Sequence, residues 1–139
     1  MEKPLNAYNT DPYTIETFVK FDTLATDKTM ICFGFAVNSL SWAVRTGSSV
    51  ASEIRFLSSN NSLAFNVDFT TTSSALDATN WHHVAVDHDA VGKIRVFANG
   101  VMRGSDTPVD STTFASTQDL FIGSGGTGSG GVSTGAVAP

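Results

Sequence analysis

Apolar and polar residues alternate with period two along most of the chain, and nowhere does a helical period hold over two turns. Residues 13–21 predict a long strand in which Ile15, Thr17, Val19 and Phe21 share one face and Glu16, Phe18 and Lys20 the other. Residues 29–37 are apolar enough for a buried strand, with Gly34 marking a bulge or a close backbone approach. Shorter strands are predicted at 40–44 and 53–57, flanking a polar loop at 46–49. The clearest alternation follows a turn at Asn60 and Asn61: Leu63, Phe65, Val67 and Phe69 are separated by small or polar residues and predict a strand over 62–69. A Ser/Thr-rich loop at 70–80 leads to predicted strands at 81–87, 93–98, 101–105 and 120–123. Asn99 and Gly100 supply the two positive-φ positions of a type I′ hairpin turn. Roughly eight or nine short strands with turn signals every ~8–12 residues predict an all-β, two-sheet antiparallel sandwich. The expected core includes Phe65, Val67, Val84, Val86, Ile94, Val96 and Ile122.

The two ends of the chain read differently. Residues 1–12 carry Pro4, Asn6, Asn9, Asp11 and Pro12 and predict an irregular arm. Beyond Ser124 the chain is dominated by glycine, serine and threonine, which bury too little side chain to offset backbone entropy. Residues 125–139 are expected as a tail, either free in solvent or extended against a neighbouring molecule.

Three segments carry a resemblance to laminin G-like, or concanavalin A-like, jelly-roll domains. The first is the opening Tyr13-Thr14-Ile15-Glu16, leading to Phe18-Val19-Lys20, with Thr17 where a second aromatic is common. The second runs from Trp81-His82-His83-Val84-Ala85-Val86 to Asn99-Gly100-Val101, and the third is Asp119-Leu120-Phe121-Ile122-Gly123-Ser124. The landmarks stand in family order and imply a jelly roll over 13–124, between the arm at 1–12 and the tail at 125–139. Of the family's usual first strand (Phe-Asp-Gly…Tyr) residues 1–12 keep at most a vestige, Leu5 and Tyr8, and its last strand (Ile-Asp-Glu-aliphatic-Arg) has no counterpart in 125–139. In the family these terminal strands lie close together, so their loss predicts an open sheet edge, covered by the arm and tail or by another subunit.

Composition narrows the partners. Charged residues make up 15% of the chain, against a usual ~25%, and Ser and Thr occupy the polar positions as on a solvated sheet face. A net charge of −5 without clustered Lys and Arg argues against nucleic acid. No apolar run reaches the ~18 residues of a membrane span, so no membrane insertion is expected. Cys32 is the sole cysteine, which rules out an internal disulfide and predicts a buried thiol within Met30-Ile31-Cys32-Phe33. Glu2 and Pro4 stand where a secretory leader would need a basic and then an apolar stretch, which predicts synthesis and folding in a cytosol.

Few residues have the pattern of chemistry. Trp81 is expected in the core by the resemblance, and Trp42 either in the core or stacked on a sugar face. His82 and His83 fall on opposite faces of one strand and cannot bind one metal together; the resemblance implies a structural hydrogen bond for His83. Asp87, His88 and Asp89 form the densest acidic-histidine cluster, in a turn, without a closed metal-ligand set. Some relatives hold calcium through loop aspartates, but their Asp-Gly-containing first loop is absent, so no cofactor is expected and calcium stands as an alternative without support. The candidate ligand-binding residues are therefore Trp42, Asp87, His88 and Asp89, with no metal site. Hydrolases on this architecture carry Glu-x-Asp-x-x-Glu, which does not occur here. Retention needs two carboxylates ~5–5.5 Å apart on one strand face. Glu16 has only Lys20 as a charged same-face neighbour, Glu53 is followed by Arg55 and Leu57, and Asp68 lies between Asn66 and Thr70.

A non-catalytic structural or recognition sandwich is thus expected. The missing leader, disulfide and terminal strands point first to a subunit of a larger assembly such as a bacteriophage particle. It would be a decoration or appendage protein on the virion surface, assembled in the host cytoplasm, with itself or other virion proteins as partners. The alternative is a free-standing, extracellular, lectin-like module that binds glycans.

Overall fold

The computed structural model describes residues 11–34 and 40–123 together with the backbone of 125–126 and 132–133. Nine strands build two antiparallel sheets: β1 (Tyr13–Val19), β2 (Thr29–Phe33), β3 (Trp42–Thr46), β4 (Ile54–Ser58), β5 (Val67–Thr70), β6 (His82–His88), β7 (Ile94–Ala98), β8 (Val101–Asp106) and β9 (Leu120–Ile122). One sheet has the order β1-β6-β7-β8 and the other β5-β4-β3-β2-β9. Two further short strands, β10 (Gly125–Gly126) and β11 (Val132–Ser133), pair with each other. The described residues contain no helix; the two-sheet sandwich is the fold that the alternation predicts, and the jelly roll is what the resemblance implies.

Turn chemistry fixes the first sheet. Asn99 and Gly100 adopt φ of 52° and 76°, the left-handed values of the expected hairpin turn. The Asn99 side chain also accepts the His83 N–H at 2.9 Å, which ties the turn back to β6. Between β6 and β7, Asp89 Oδ1 accepts the N–H groups of Val91 and Lys93 at 3.0 Å each, and Gly92 provides a φ of 83°.

The core forms where the inner faces meet. Val19, Val84, Val86, Ile94, Val96 and Ala98 of the first sheet pack against Met30, Ile31, Val44, Ile54, Phe56 and Val67 of the second. The second sheet is covered on its outer face too, where Cys32, Leu40, Ala43 and Leu57 form a further buried cluster with Phe121. That double burial explains why 29–33 and 42–46 read as apolar runs rather than clean alternation. Burial pushes the Cys32 thiol up to about 11, against the pull of Arg45, so it stays an unreactive packing group.

Three expectations fail for identifiable reasons. The strand expected over 62–69 begins only at Val67. Asn61 Oδ1 accepts the N–H groups of Leu63 and Ala64, and Ser62 takes a φ of 65°, so a local turn captures the backbone. Phe65 is consequently 48% exposed rather than in the core. Ile122 is 63% exposed, because β9 is a short strand beside β2 at the end of its sheet's order and the opposite sheet does not cover it. The strand expected over 29–37 is described as far as Phe33; residues 35–39 lie outside the described residues, as do 1–10 of the expected arm and most of the expected tail.

Val86 is fully buried between the sheets. Val86→Asp is expected to cost about 3 kcal/mol or more, because it strands an unpaired carboxylate in the core, and to lower Tm by about 10 °C. Met102→Asp, on an exposed residue of β8, is expected to cost less than about 1 kcal/mol. Calorimetry of the two variants checks the assignment of faces, and similar losses would contradict it.

Candidate functional site

The outer face of the β1-β6-β7-β8 sheet carries large side chains in water. Register places Phe18 opposite His83, Glu16 opposite Ala85, Ala85 opposite Phe97, and Phe97 opposite Met102. Trp81 comes immediately before β6. Because His82 is buried, alternation puts Trp81 on the same outer face as His83 and Ala85. Trp81 is 54% exposed and Phe18 66%, and Met102 is exposed beside the half-buried Phe97. The Phe18 and His83 rings lie 4.9 Å apart at a tilt of 37°. Glu16 approaches His83 Nε2 at 3.6 Å, and exposed Lys20 continues the outer row one residue beyond β1. Two exposed aromatic groups thus stand among a carboxylate, an imidazole and an ammonium group.

The two tryptophans end in opposite settings: Trp81 reverses its expected placement, and Trp42 takes the core alternative of its two. Trp81, expected in the core, is on the surface. Trp42, the expected sugar-stacking candidate, is 5% exposed, with its ring centroid 6.3 Å from that of Phe33 at an interplanar angle of 28°. Its strand is the middle one of five and is covered on both faces, so the indole does not stand on the outer surface of the sandwich. A signal for the outward placement was present in the chain: Trp81 shares its parity with His83 and Asp87, and Phe18 with Glu16 and Lys20.

Asp87, His88 and Asp89 do not converge on one point. Asp87 faces Arg95 across the β6–β7 ladder and accepts from its Nη1 at 3.0–3.1 Å, while Asp89 accepts from Nη2 at 2.6 Å. His88 turns inward, with Nε2 2.9 Å from Ser111 Oγ and its ring stacked on Tyr13 at 4.8 Å. The cluster therefore locks a hairpin around Arg95. Among the described residues, no group of three or more His, Cys, Asp or Glu side chains is placed to hold a metal. Buried His82 makes a structural hydrogen bond through its ring, whose Nε2 accepts the Asp77 N–H at 3.1 Å.

A cavity of about 290 Å³ opens between β1 of one sheet and β2 and β9 of the other. Tyr13, Thr14, Ile15, Glu16, Ile31, Trp42 and Leu120 line it. Trp42 thus forms part of an interior wall rather than a surface platform.

Burial holds the His88 proton affinity below the ordinary value near 6.5, although Asp89 and Asp87 oppose the shift. The folded chain binds this proton less readily than the unfolded chain does. Its contribution to stability is therefore complete above pH 6.5 and declines as pH falls below that value. Tm is expected to fall between about pH 7.5 and 5.5, and to fall less in His88→Phe, which keeps the stack on Tyr13 but cannot titrate. Equal slopes in the two proteins would remove His88 as the cause.

Comparison with known proteins places this geometry in a family. The receptor-binding domain of botulinum neurotoxin type G superposes with a TM-score of 0.50 at 16% identity, covering 75% of this chain and 32% of its own. A point mutant of HCR/D superposes with a TM-score of 0.60 at 12% identity, covering 91% of this chain and 31% of its own. The chain spans about a third of the length of these structures, and at such identities the likeness is one of fold. No curated protein matches the chain. A family model described as the concanavalin A-like lectin/glucanases superfamily matches residues 3–138, nearly the whole sequence, and the chain belongs to that superfamily.

Proposed function

We propose that this chain is a non-catalytic, lectin-like recognition module that binds sugar rings on the outer face of the β1-β6-β7-β8 sheet. The observation that carries this reading is the exposure of Trp81 and Phe18 on one solvated sheet face beside Glu16, Lys20 and His83. Flat aromatic rings offer apolar area to the C–H faces of a pyranose at little entropic cost. The neighbouring polar groups can exchange hydrogen bonds with its hydroxyls. Membership of a superfamily that includes lectins supports this, as does a fold shared with part of a receptor-binding domain.

The carboxylates support the non-catalytic half. A glycosidase needs an acid whose proton affinity is raised. Asp77 is held well below the ordinary carboxylate range by hydrogen bonds from Asn80 and Thr79. Asp89 is held down by the Lys93 N–H first, and Asp110 by the Thr112 hydroxyl first. Two pairs of aspartates come together through an arginine: Asp27 and Asp68 on Arg55, and Asp87 and Asp89 on Arg95. Each pair is bridged by the cation between its members rather than turned toward a substrate.

A second reading places the module in a larger assembly, as a decoration or appendage subunit at a virion surface with copies of itself or other virion proteins as partners. The edge of β1, which carries no second strand among the described residues, favours it. Stoichiometric recovery of the chain from purified particles is its test.

For the glycan reading, the full chain is expected to bind a subset of sugars on a glycan array. Trp81→Ala and Phe18→Ala should each weaken that binding about 10-fold on titration. Both residues are exposed, so Tm should change by no more than about 2 °C. Silence across the array, or full affinity in both variants, would count against this face.

A further inference from the structure

Among the described strands, β1 has one neighbour. Seven consecutive partners join it to β6, and among the described residues no strand runs along its other side. Half of the main-chain N–H and C=O groups of an antiparallel strand point to each side. Among the described residues, no strand takes up the groups of residues 14–19 that point away from β6, and such a row is one that other chains can pair with.

The cavity lies along the same edge. Its wall includes Thr14, Ile15 and Glu16 as well as Tyr13. Consecutive strand residues point to opposite faces, so a cavity touching all four is bounded by the backbone edge itself. Ile31 and Trp42 form its apolar interior, and Leu120 of β9 stands on the far side. A small apolar molecule would use the interior and leave the β1 main chain unpaired. An extended polypeptide would use both.

We propose that the β1 edge and this cleft accept an antiparallel β-strand from a partner polypeptide. Alternate apolar side chains of the partner enter the cleft against Ile15, Ile31 and Trp42, and a basic side chain lies opposite Glu16. Main-chain pairing supplies affinity, and the alternating pockets supply selectivity. The exposed Glu16 carboxylate and the net charge of −5 favour a basic partner. The site shares Glu16 with the aromatic face, but its test does not depend on sugar binding.

Trp81→Phe, in an otherwise full chain, leaves Trp42 as the sole indole and a fluorescent reporter of the cleft. The probe is the acetylated, amidated peptide Val-Thr-Val-Lys-Val-Thr-Val, which sets lysine opposite Glu16 with valines toward the cleft. Two further peptides carry N-methyl groups on the odd or on the even residues. The unmodified peptide is expected to give a saturable change in Trp42 emission. One N-methylated isomer, whose blocked groups face β1, should bind about 10-fold more weakly than the other, the effect of losing one or two main-chain hydrogen bonds. Glu16→Lys should weaken the unmodified peptide by several-fold. No saturable change with the unmodified peptide would overturn the proposal. So would equal binding of the two N-methylated isomers, which would mark a pocket for apolar molecules without strand pairing.

Discussion

His82, Val84, Val86 and His88 enter the core from a single strand, and the residues between them are directed to the other face by the geometry of an extended chain. β6 is paired on both sides, with β1 through seven residues and with β7 through five. Its inward row therefore sets the parity of its neighbours. Burying a Val or Ile side chain is worth roughly 1.5–3 kcal/mol, so a one-residue slip would exchange that row for Trp81, His83, Ala85 and Asp87 at great cost. Both proposed sites follow from this register. Outward parity puts Trp81 opposite the Phe18 row, and inward parity turns Tyr13 and Ile15 toward the cavity.

The polar groups of the sandwich serve geometry before chemistry. Arg55 gathers Asp27 and Asp68, and Arg95 gathers Asp87 and Asp89, so each arginine joins a turn or loop to a strand. These pairs are partly exposed and individually weak; their consequence is shape. Buried hydroxyls act similarly. Thr46 Oγ1 donates to the Ala25 carbonyl and accepts the Lys28 N–H, which holds the loop before β2 against β3. A protein of low charge density can spend its few ions on turns because its stability rests on the two apolar inner faces.

A jelly roll must manage its outermost strands. Here the two sheets differ at the same side of the sandwich. β2 is flanked by β9, a strand of only three residues, and β1 has no described neighbour beyond it. On that side Ile122 is exposed and the cavity opens beside Leu120.

Local pattern sufficed for much of the fold. Alternation located the strands, Asn99-Gly100 specified its turn, and the apolar setting of Cys32 specified a buried thiol. Those features depend on neighbours within a few residues. Parity also separated Phe18 and Trp81 from the inward rows, so part of the candidate surface was legible. Which parity met a second sheet, and which met water, was not a property of any one segment. Trp42 is buried because β3 lies in the middle of a sheet covered on both faces, and Trp81 is exposed because its outer face is not covered by a second sheet. Phe65 left the core because Asn61 captured its turn, and Ile122 because the opposite sheet stops short of β9. The Asp87-His88-Asp89 run resembled a ligand cluster until Arg95, eight residues beyond Asp87, drew both carboxylates to itself. The sequence determined the strands and their two faces. Long-range packing alone decided which face was surface, since burial depends on residues far away along the chain.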